Sequence, residues 1–421
     1  MGCLDMKYVL FLGDGMADEP IEALGGRTPL MAAETPNLDR LMQGGHARLG
    51  TFRALPEPFP TSSDVANLSV LGHDLATGYC GRGPLEAASQ GILLGTNQMA
   101  FRCSLVNVSP DGVVQDYSAG QITTPEAVEL IEALNAALGS GKVRFAPGVA
   151  YRNLLLLTGC EFSPDVSCEK PDDHQGDPYL DNLPKAKTPA GEATAALLRT
   201  LMVDSIELLE NHPVNRARVA AGKRPANRIW PWSGGRRPAV KRFREMYGKS
   251  GAIISAVDVI KGIGAVTDMD VIEVPGATGY IDTHYEGKAC AAVRALQDHD
   301  FVYIHVEGID EVSHEGDLEK KIRAIEDFDR RLIGTFLEEF SFSPVSEGVG
   351  LKNLALAVLP DHPVPVVRRK HTGTPVPVLF VHPWAKGDSG LLYNELDAPK
   401  GSLGLLQGEG VMRTLFEKPA M

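Results

Sequence analysis

The chain has 421 residues, 43% hydrophobic and 23% charged, a composition typical of a folded protein long enough for two domains. Its 54 acidic and 41 basic side chains give a formal net charge of −13, which disfavours nonspecific binding to nucleic acids and anionic membranes. No apolar run approaches the roughly 20 residues of a membrane-spanning helix. The six cysteines form no C-x-x-C pair, so we expect reduced thiols and a cytoplasmic protein. They are Cys3, Cys80, Cys103, Cys160, Cys168 and Cys290.

Three short apolar runs, at residues 8–12, 301–306 and 354–359, predict strands. Runs of this length suit central strands that are buried on both faces of a sheet. The acidic residues that follow them are Asp14, Asp310 and Asp361. Because ligands of open α/β sheets bind outside the carboxyl ends of the strands, we expect these side chains to converge on one site.

Helices are predicted between the strands. Thr35-Pro36 combines a capping residue with a proline in the first turn, and Gly44 ends the helix that begins there. After His314, apolar residues recur at helical spacing up to Leu337, with charged residues between them. This alternation predicts an α/β fold with helices on both faces of the sheet.

The middle of the chain has a different pattern. An alternating run at 101–108, a helix near 125–138 and a strand-like run at 151–157 indicate a mixture of helices and strands. We interpret this part as a smaller inserted α+β domain. The predicted domains are 1–99 with 226–421 for the main domain, and 100–225 for the insert.

Two further features have the character of metal ligands. They are Asp310 with His314, four residues apart, and Asp361-His362 followed by His371. Carboxylate and imidazole ligands without thiolates suit zinc or manganese. Each feature alone is more often a capping aspartate or a hydrogen-bonded histidine. Together with Asp14 at a third strand end, they predict a site for two metal ions.

Ser63 is the candidate nucleophile. On one interpretation, Ser62 or Ser63 only caps the helix that begins there. On the other, a hydroxyl at a helix N-terminus lies where backbone N–H groups attract phosphate, and a bound metal would make it lose its proton more readily. The local sequence leaves both interpretations open.

A basic segment runs from Arg216 to Arg244, with ten lysines or arginines and no acidic residue. Trp230 and Trp232 within it would suit a nucleic-acid surface, but its prolines argue against a basic helix. We favour an anion site for a small phosphorylated acid, because arginine binds carboxylate and phosphate in bidentate fashion. Arg216 and Arg218 are the candidate substrate-binding residues of this segment.

Several segments occur together in one known family. They are Gly13-Asp14-Gly15-Met16-Ala17-Asp18, Thr35-Pro36-Asn37-Leu38-Asp39, Ser63-Asp64-Val65-Ala66-Asn67-Leu68, His212-Pro213-Val214-Asn215-Arg216, Pro275-Gly276-Ala277-Thr278-Gly279-Tyr280-Ile281-Asp282-Thr283, Asp310 with His314, and Asp361-His362 with His371-Thr372. In this order they resemble the alkaline phosphatase superfamily. Within it, the chain resembles the archaeal-type cofactor-independent phosphoglycerate mutases over nearly its whole length.

The resemblance implies an alkaline-phosphatase-like sheet and two divalent metal ions, manganese or zinc, with cobalt and magnesium as further candidates. It implies that Ser63 takes and returns the phosphoryl group. The implied ligands are Asp14, Ser63, Asp361 and His362 for one ion, and Asp310, His314 and His371 for the other. Arg152 and His174 are implied as residues on the substrate side of the insert.

The leading hypothesis is a 2,3-bisphosphoglycerate-independent phosphoglycerate mutase that interconverts 3-phosphoglycerate and 2-phosphoglycerate through a phosphoserine. Closure of the insert would exclude water from that intermediate. The alternatives are a homoserine kinase of the same subfamily, a metal-dependent phosphatase or phosphodiesterase, and a non-catalytic metal-dependent binding protein. The last is disfavoured because a binding protein does not need Ser63. The expected partner is a small phosphorylated carboxylic acid, with no nucleic acid and no membrane, and the oligomeric state stays open.

Overall fold

The computed structural model describes residues 5–346 and 348–418, so Cys3 lies outside the described residues. The strands are β1 (Lys7–Gly13), β2 (Ala47–Phe52), β3 (Gln98–Val108), β4 (Val114–Asp116), β5 (Val143–Val149), β6 (Arg152–Thr158), β7 (Val166–Ser167), β8 (Lys185–Ala186), β9 (Arg228–Arg236), β10 (Gly251–Ile254), β11 (Asp270–Val271), β12 (Phe301–Val306), β13 (Leu354–Leu359), β14 (Val376–Val381) and β15 (Leu405–Leu406).

The α-helices are α1 (Pro29–Ala32), α2 (Pro36–Gln43), α3 (Ser63–Val70), α4 (Leu75–Gly78), α5 (Arg82–Ser89), α6 (Thr124–Leu138), α7 (Glu192–Asn211), α8 (Pro213–Ala220), α9 (Phe243–Tyr247), α10 (Asp258–Val266), α11 (Tyr285–Ala295), α12 (Gly308–Glu315), α13 (Leu318–Asp327), α14 (Thr335–Phe342) and α15 (Gly410–Leu415). A π-helix spans Phe328–Gly334. Short 3-10 helices span Glu22–Leu24, Pro171–His174, Tyr179–Asn182, Pro189–Gly191, Pro344–Ser346, Gly350–Asn353 and Ala398–Lys400.

The chain divides into two compact units. The first comprises Met1–Tyr79 and Ala239–Met421, and the second is Cys80–Pro238. The second unit therefore extends beyond the predicted insert of 100–225 at both ends. Its extra length has a physical cause, because β9 pairs with β3 from Val106 to Met99 and α5 packs against the same strand.

The first unit contains an eight-stranded sheet in the order β11-β10-β12-β1-β13-β14-β2-β15. Strand β1 is parallel to both of its neighbours, β12 and β13, and all seven of its residues are buried. Val9 and Phe11 pack into a core built with the helices after residue 285. Tyr8 alternates to the opposite face, where its ring meets Phe416 at 4.9 Å. Both faces of the sheet are thus covered, and the predicted α/β fold is confirmed.

The three predicted strands are also confirmed, and their register places their carboxyl ends next to one another. Gly13 at the end of β1 lies opposite Val306 at the end of β12. Leu12 lies opposite Leu359, the last residue of β13. The segments that carry Asp14, Asp310 and Asp361 consequently leave the same edge of the sheet side by side.

The helix predicted from Thr35 begins at Pro36 and ends at Gln43, with Gly44 as its C-cap, but its N-terminus is capped differently from the prediction. The side chain of Thr35 makes no capping hydrogen bond. Instead, Asp329 of the π-helix accepts hydrogen bonds from the backbone N–H groups of Asn37 at 3.0 Å and Leu38 at 2.8 Å. A cap from a distant segment cannot be seen in the local sequence.

The second unit contains an antiparallel sheet in the order β4-β3-β6-β5, with β9 also paired to β3. Helices α6 and α7 bury Leu130 and Leu198 in a core with Phe101, Leu155 and Trp230. The unit is therefore an α+β arrangement, as the mixed pattern predicted.

Among the described residues, no helix has both the length and the apolar character needed to cross a membrane. Four of the described cysteines are present as free thiols: Cys103, Cys160, Cys168 and Cys290.

Candidate active site and metal centre

One group of candidate ligands lies at the ends of β1 and β13 in the first unit. Nε2 of His362 lies 3.4 Å from Oδ1 of Asp14 and 3.4 Å from Oδ2 of Asp361. All three side chains are fully buried. The backbone N–H of Gly15 donates to Oδ1 of Asp361 at 3.2 Å, which fixes that carboxylate toward the end of β1. The structure thus brings three of the predicted ligands together.

The second group consists of Asp310, His314 and His371. Asp310 and His314 lie one turn apart on α12, so the two side chains project from the same face of the helix. Nε2 of His314 lies 3.4 Å from Asp310 and 2.9 Å from Nε2 of His371. Nδ1 of His314 lies 2.9 Å from the carbonyl oxygen of Arg369, which can only accept a hydrogen bond. A neutral His314 therefore carries its proton on Nδ1 and leaves the Nε2 lone pair for a metal ion.

The carboxylates of the two groups are buried and lie close enough to repel one another electrostatically. Burial, with the charges of neighbouring carboxylates, raises the pKa of Asp14 and Asp310 well above the ordinary range. Burial raises the pKa of Asp361 to about 7, although the N–H of Gly15 acts in the opposite direction. Burial also holds the pKa of His362 well below its ordinary value. Burying these carboxylates in their charged form costs folding free energy unless cations bind them, and divalent metal ions would compensate the negative charge.

Ser63 lies beside the first group. It is the first residue of α3, its Oγ lies 3.3 Å from Nε2 of His362, and the residue is 8% exposed. The N-cap position belongs to Ser62, whose side chain makes no capping hydrogen bond. The hydroxyl of Ser63 is thus directed to the candidate metal ligands rather than to the helix backbone.

Asn67 and Tyr303 join this site, although they were not predicted as part of it. The amide nitrogen of Asn67 donates to the carbonyl oxygen of Ser63 at 2.8 Å and to Oδ2 of Asp361 at 3.0 Å. The hydroxyl of Tyr303, on β12, donates to Oδ1 of Asn67. Asn67 therefore holds the Ser63 helix against Asp361. Its position one helical turn after Ser63 was the available signal.

His305 and Glu307 were also missed. Nε2 of His305 lies 3.0 Å from Oδ2 of Asp14 and 3.6 Å from Oε2 of Glu307, and Nδ1 lies 3.2 Å from the hydroxyl of Ser255. Burial lowers the pKa of His305 well below its ordinary value. The imidazole of His305 thus contacts Oδ2 of Asp14, whereas His362 lies nearer Oδ1. The signal that could have identified them is a polar residue, His305, within the apolar run 301–306, with Glu307 directly after that run.

Two predicted substrate residues, Arg152 and His174, lie in the second unit. Arg152 begins β6 and is exposed, with its guanidinium carbon 5.2 Å from the ring centre of Tyr151. His174 ends a 3-10 helix, with Nδ1 2.9 Å from Oδ2 of Asp177 and its ring stacked on Trp230 at 5.8 Å. Their contact with a substrate remains a prediction.

Arg216 and Arg218 lie on α8, and the side chain of Arg218 makes its contacts within its own unit. Its side chain is 3% exposed and forms an ion pair of 2.7 Å with Glu126. Three further N–H groups donate to carbonyl oxygens of Ala119, Gly120 and Arg224. Arg218 therefore uses four of its five N–H donors within its own unit, where it holds loops together. Arg216 is exposed and donates to Asn211 at 3.3 Å, and its predicted role stays untested.

The tryptophans of the basic segment are buried in the second unit. Trp230 is 2% exposed and donates to the carbonyl oxygen of Glu169 at 2.8 Å, and Trp232 is 8% exposed and donates to Ser104 at 3.0 Å. Bases stack on aromatic rings that solvent can reach. The burial of both rings removes the main argument for a nucleic-acid surface here.

Known proteins resemble the chain over its whole length. A family profile described as 2,3-bisphosphoglycerate-independent phosphoglycerate mutase matches residues 45–215. A protein of that name from Methanosarcina acetivorans is 46% identical over 98% of this chain and 100% of its own length.

Two solved structures agree with this relationship. A protein from Pyrococcus horikoshii aligns with a TM-score of 0.81 and 27% identity over 100% of both chains. A cofactor-independent phosphoglycerate mutase from Thermoplasma acidophilum aligns with a TM-score of 0.64 and 28% identity, over 97% of this chain and 98% of its own. With near-complete coverage at up to 46% identity, the chain belongs to the family of 2,3-bisphosphoglycerate-independent phosphoglycerate mutases.

Proposed function

We propose that this chain interconverts 3-phosphoglycerate and 2-phosphoglycerate through a phosphoserine at Ser63, with divalent metals bound by the two ligand groups. The observation that carries the proposal is the position of the Ser63 hydroxyl, 3.3 Å from His362 within a buried cluster of carboxylates and imidazoles. The relatives' shared name supports the substrate.

The cluster fits divalent metal ions. Oδ1 of Asp14 and Oδ1 of Asp310 are buried and have no hydrogen-bond partner among the described residues, which is costly unless a cation binds them. Asp14, Ser63, Asp361 and His362 would hold one ion, and Asp310, His314 and His371 the other. Oxygen and nitrogen donors without thiolates suit manganese or zinc, and also cobalt or magnesium. Bound there, the ions would lower the pKa of the Ser63 hydroxyl and offset charge on the phosphoryl oxygens.

The chain's own residues define the phosphoryl transfer. Oγ of Ser63 gives up its proton and attacks phosphorus, so that a P–Oγ bond forms while the bond from phosphorus to the glycerate oxygen breaks. That oxygen takes up one proton, which balances the one lost from Ser63. The first-turn N–H groups of α3 face the incoming phosphate oxygens. Asn67 and His362 keep the serine in place through the contacts described above. The glycerate then turns, and its other hydroxyl attacks phosphorus and frees Ser63.

In the proposed mechanism, the second unit contributes residues that bind glycerate. If water reached the phosphoserine, hydrolysis would make the enzyme a phosphatase rather than a mutase. Arg152 and His174 are the predicted residues for holding glycerate between the two transfers.

The test compares Ser63→Ala with Ser62→Ala in manganese-loaded protein. Ser63→Ala should abolish conversion of 3-phosphoglycerate while the protein still binds metal, and mass spectrometry of treated wild type should find phosphate on Ser63. Ser62→Ala should keep both the conversion of 3-phosphoglycerate and the phosphate on Ser63, because the Ser62 hydroxyl does not contact His362. An active Ser63→Ala variant would refute the mechanism.

The same preparation separates the alternatives. Release of inorganic phosphate without 2-phosphoglycerate would identify a phosphatase, and phosphorylation of homoserine by ATP would identify a kinase. We expect neither reaction at a rate comparable to mutase turnover.

We also propose a cytoplasmic location, which the free thiols support. Fractionation of the native cells should recover the protein with the cytoplasm, and recovery from an oxidising compartment would contradict the proposal.

A further inference from the structure

Lys321 lies where three segments that carry candidate metal ligands meet. It is on α13, which follows α12 after only Gly316 and Asp317. Asp310 and His314 lie on α12, so α13 and most of the second ligand group belong to one continuous piece of the chain. The Lys321 side chain is 0% exposed, although a lysine is almost never fully buried unless it is paired.

The ammonium of Lys321 donates hydrogen bonds to the segments that follow β1 and β13. It donates to Oδ2 of Asp18 at 2.9 Å and to the carbonyl oxygen of Ala17 at 3.3 Å, both in the segment after β1. It also donates to the carbonyl oxygen of Val364 at 2.9 Å, two residues after His362. An ammonium has three N–H groups, so these acceptors use all of them.

Asp18 makes further hydrogen bonds at this junction. Its Oδ2 accepts a hydrogen bond from the backbone N–H of Val366 at 3.0 Å as well as from Lys321. The backbone N–H of Asp18 donates to Oε1 of Glu395 at 3.0 Å. Asp18 ends the sequence motif that contains Asp14, and the proposed mechanism gives it no part. Its contacts connect that motif to the segment after β13.

The charge of Lys321 acts on a member of each ligand group. Burial raises the pKa of Asp310 well above its ordinary range, and Lys321 acts in the opposite direction. Burial holds the pKa of His362 well below its ordinary value, and Lys321 acts in the same direction. Lys321 is therefore close enough to both groups for its charge to matter to them.

We propose that Lys321 is a positioning residue, which fixes the two metal-ligand groups relative to each other by joining α13 to the segments after β1 and β13. The role rests on the proposed function, because it requires that the two groups bind metal ions. Partners outside the ligand shell orient the ligands of a metal site. Lys321 is such a partner for both groups, and without its three hydrogen bonds α12 and α13 lose a buried connection to the other ligand-bearing segments.

The test compares Lys321→Met with Asp18→Asn/Lys321→Met in the full chain. Methionine is unbranched like lysine but donates no hydrogen bond. The single variant leaves the Asp18 carboxylate buried without its cation, so it should melt well below wild type. The double variant removes both charges and should melt at a higher temperature than the single variant. Both should bind manganese ions about 10- to 100-fold more weakly than wild type, the range for loss of an outer-shell partner.

Two readouts separate positioning from general stabilisation. Calorimetric titration at a temperature where the variants are folded gives the manganese affinity, and the visible absorption of cobalt-loaded protein reports the geometry around the bound ion. We expect the double variant to change both. Lys7→Met is the matched control, because Lys7 is also buried and donates to the carbonyl oxygen of His299 at 3.2 Å, at the opposite end of β1. This control should keep the wild-type affinity and spectrum.

Each outcome decides the role of Lys321. Weaker binding and an altered spectrum in a folded double variant, with neither change in Lys7→Met, support the role. A wild-type affinity or spectrum in the double variant, or equal changes in Lys7→Met, would overturn it. A double variant that does not fold would also overturn it, because Lys321 would then serve the fold itself.

The wild-type titration separates this role from the proposed function. Wild type that binds no divalent ion would overturn the proposed function together with the role of Lys321. Wild type that binds two ions and needs Ser63 for turnover, beside a double variant with unchanged affinity, would overturn the role alone.

Discussion

Asp310 in the first unit and Arg218 in the second are both buried and charged, but their surroundings differ. Asp310 has a carboxylate oxygen with no hydrogen-bond partner among the described residues and lies near other acids that raise its pKa. Arg218 has an ion pair with Glu126 and donates to three backbone carbonyls. Burial alone therefore does not identify a functional charge. The useful criterion is whether the protein itself satisfies that charge.

A second pair within the first unit supports the same distinction. Asp329 is as buried as Asp310, but its two oxygens accept hydrogen bonds from Asn37 and Leu38 at the start of α2. It is a structural cap, whereas Asp310 is a candidate ligand. The two aspartates allow a comparison in which residue type and burial are nearly matched.

The largest effect is expected for Asp310→Asn. The amide cannot provide the negative charge that a divalent ion requires, so mutase activity should fall by more than the roughly 10- to 100-fold that loss of an outer-shell partner costs. Metal content, measured by elemental analysis, should fall in parallel. The metal-free variant should unfold at a temperature no lower than metal-free wild type, because an uncompensated acid has been removed.

Asp329→Asn is the matched control for this prediction. It should keep its metal and its activity, and should lose about 1.5–3 kcal/mol of unfolding free energy because an N-terminal cap of α2 is weakened. If Asp310→Asn instead retained full metal content and activity, the distinction between satisfied and unsatisfied carboxylates would fail at this site.

Arg218→Ala tests the expectation that a buried charge satisfied by the protein itself serves stability rather than activity. Removing it leaves Glu126 and three carbonyl oxygens without their partner, so the unfolding free energy should fall by about 3 kcal/mol. The KM and kcat of the folded fraction should stay near wild type. Urea unfolding and steady-state kinetics on the same preparation measure both effects.

The control is Arg216→Ala, two residues earlier on the same helix. This exposed side chain should change stability by less than about 0.5 kcal/mol. A strong rise in KM for Arg218→Ala, with unchanged stability, would restore the substrate role that the sequence suggested.

The strand ends were predictable from the sequence because their signal is local. Residues 8–12, 301–306 and 354–359 are apolar runs of strand length, and parallel pairing brings their ends to one edge of the sheet. The pairing of Asp310 with His314 follows from helical spacing. These parts depend on periodicity that can be seen within a few residues.

Contacts between distant segments were not predictable in this way. The cap of α2 by Asp329 and the ion pair of Arg218 with Glu126 join residues that are 291 and 92 positions apart. The boundary of the second unit depends on β9 pairing with β3, which no local pattern indicates.

Lys288 is an intermediate case, because its charge is buried with limited compensation. It is 1% exposed, its ammonium donates to the carbonyl oxygen of His305 at 3.0 Å, and burial lowers its pKa to about 8. An unfolded lysine titrates near 10.4, so between these values the unfolded chain binds more protons and stability rises with pH. The unfolding free energy of wild type minus that of Lys288→Met should thus rise by roughly 2 kcal/mol from pH 8 to pH 10.

Lysines that solvent reaches provide the control for Lys288. Lys142→Met, at an exposed ion pair with Glu161, should show no such rise between pH 8 and pH 10. A flat difference for Lys288→Met as well would mean that the buried ammonium is compensated better than its contacts indicate.

The smallest effect is expected for Arg224→Gln, which sharpens the comparison with Arg218 in the same basic segment. Arg224 pairs with Asp116 at 2.9 Å, but its side chain is 53% exposed, so water competes for the guanidinium. An exposed pair of this kind contributes about 0.2–1 kcal/mol and is screened by salt. The loss on Arg224→Gln should therefore shrink between 50 mM and 500 mM salt, whereas the larger loss on Arg218→Ala should change little, because a buried pair is screened much less. Urea unfolding at both salt concentrations distinguishes the two arginines, and equal salt dependence would show that ion pairing in this segment does not follow burial.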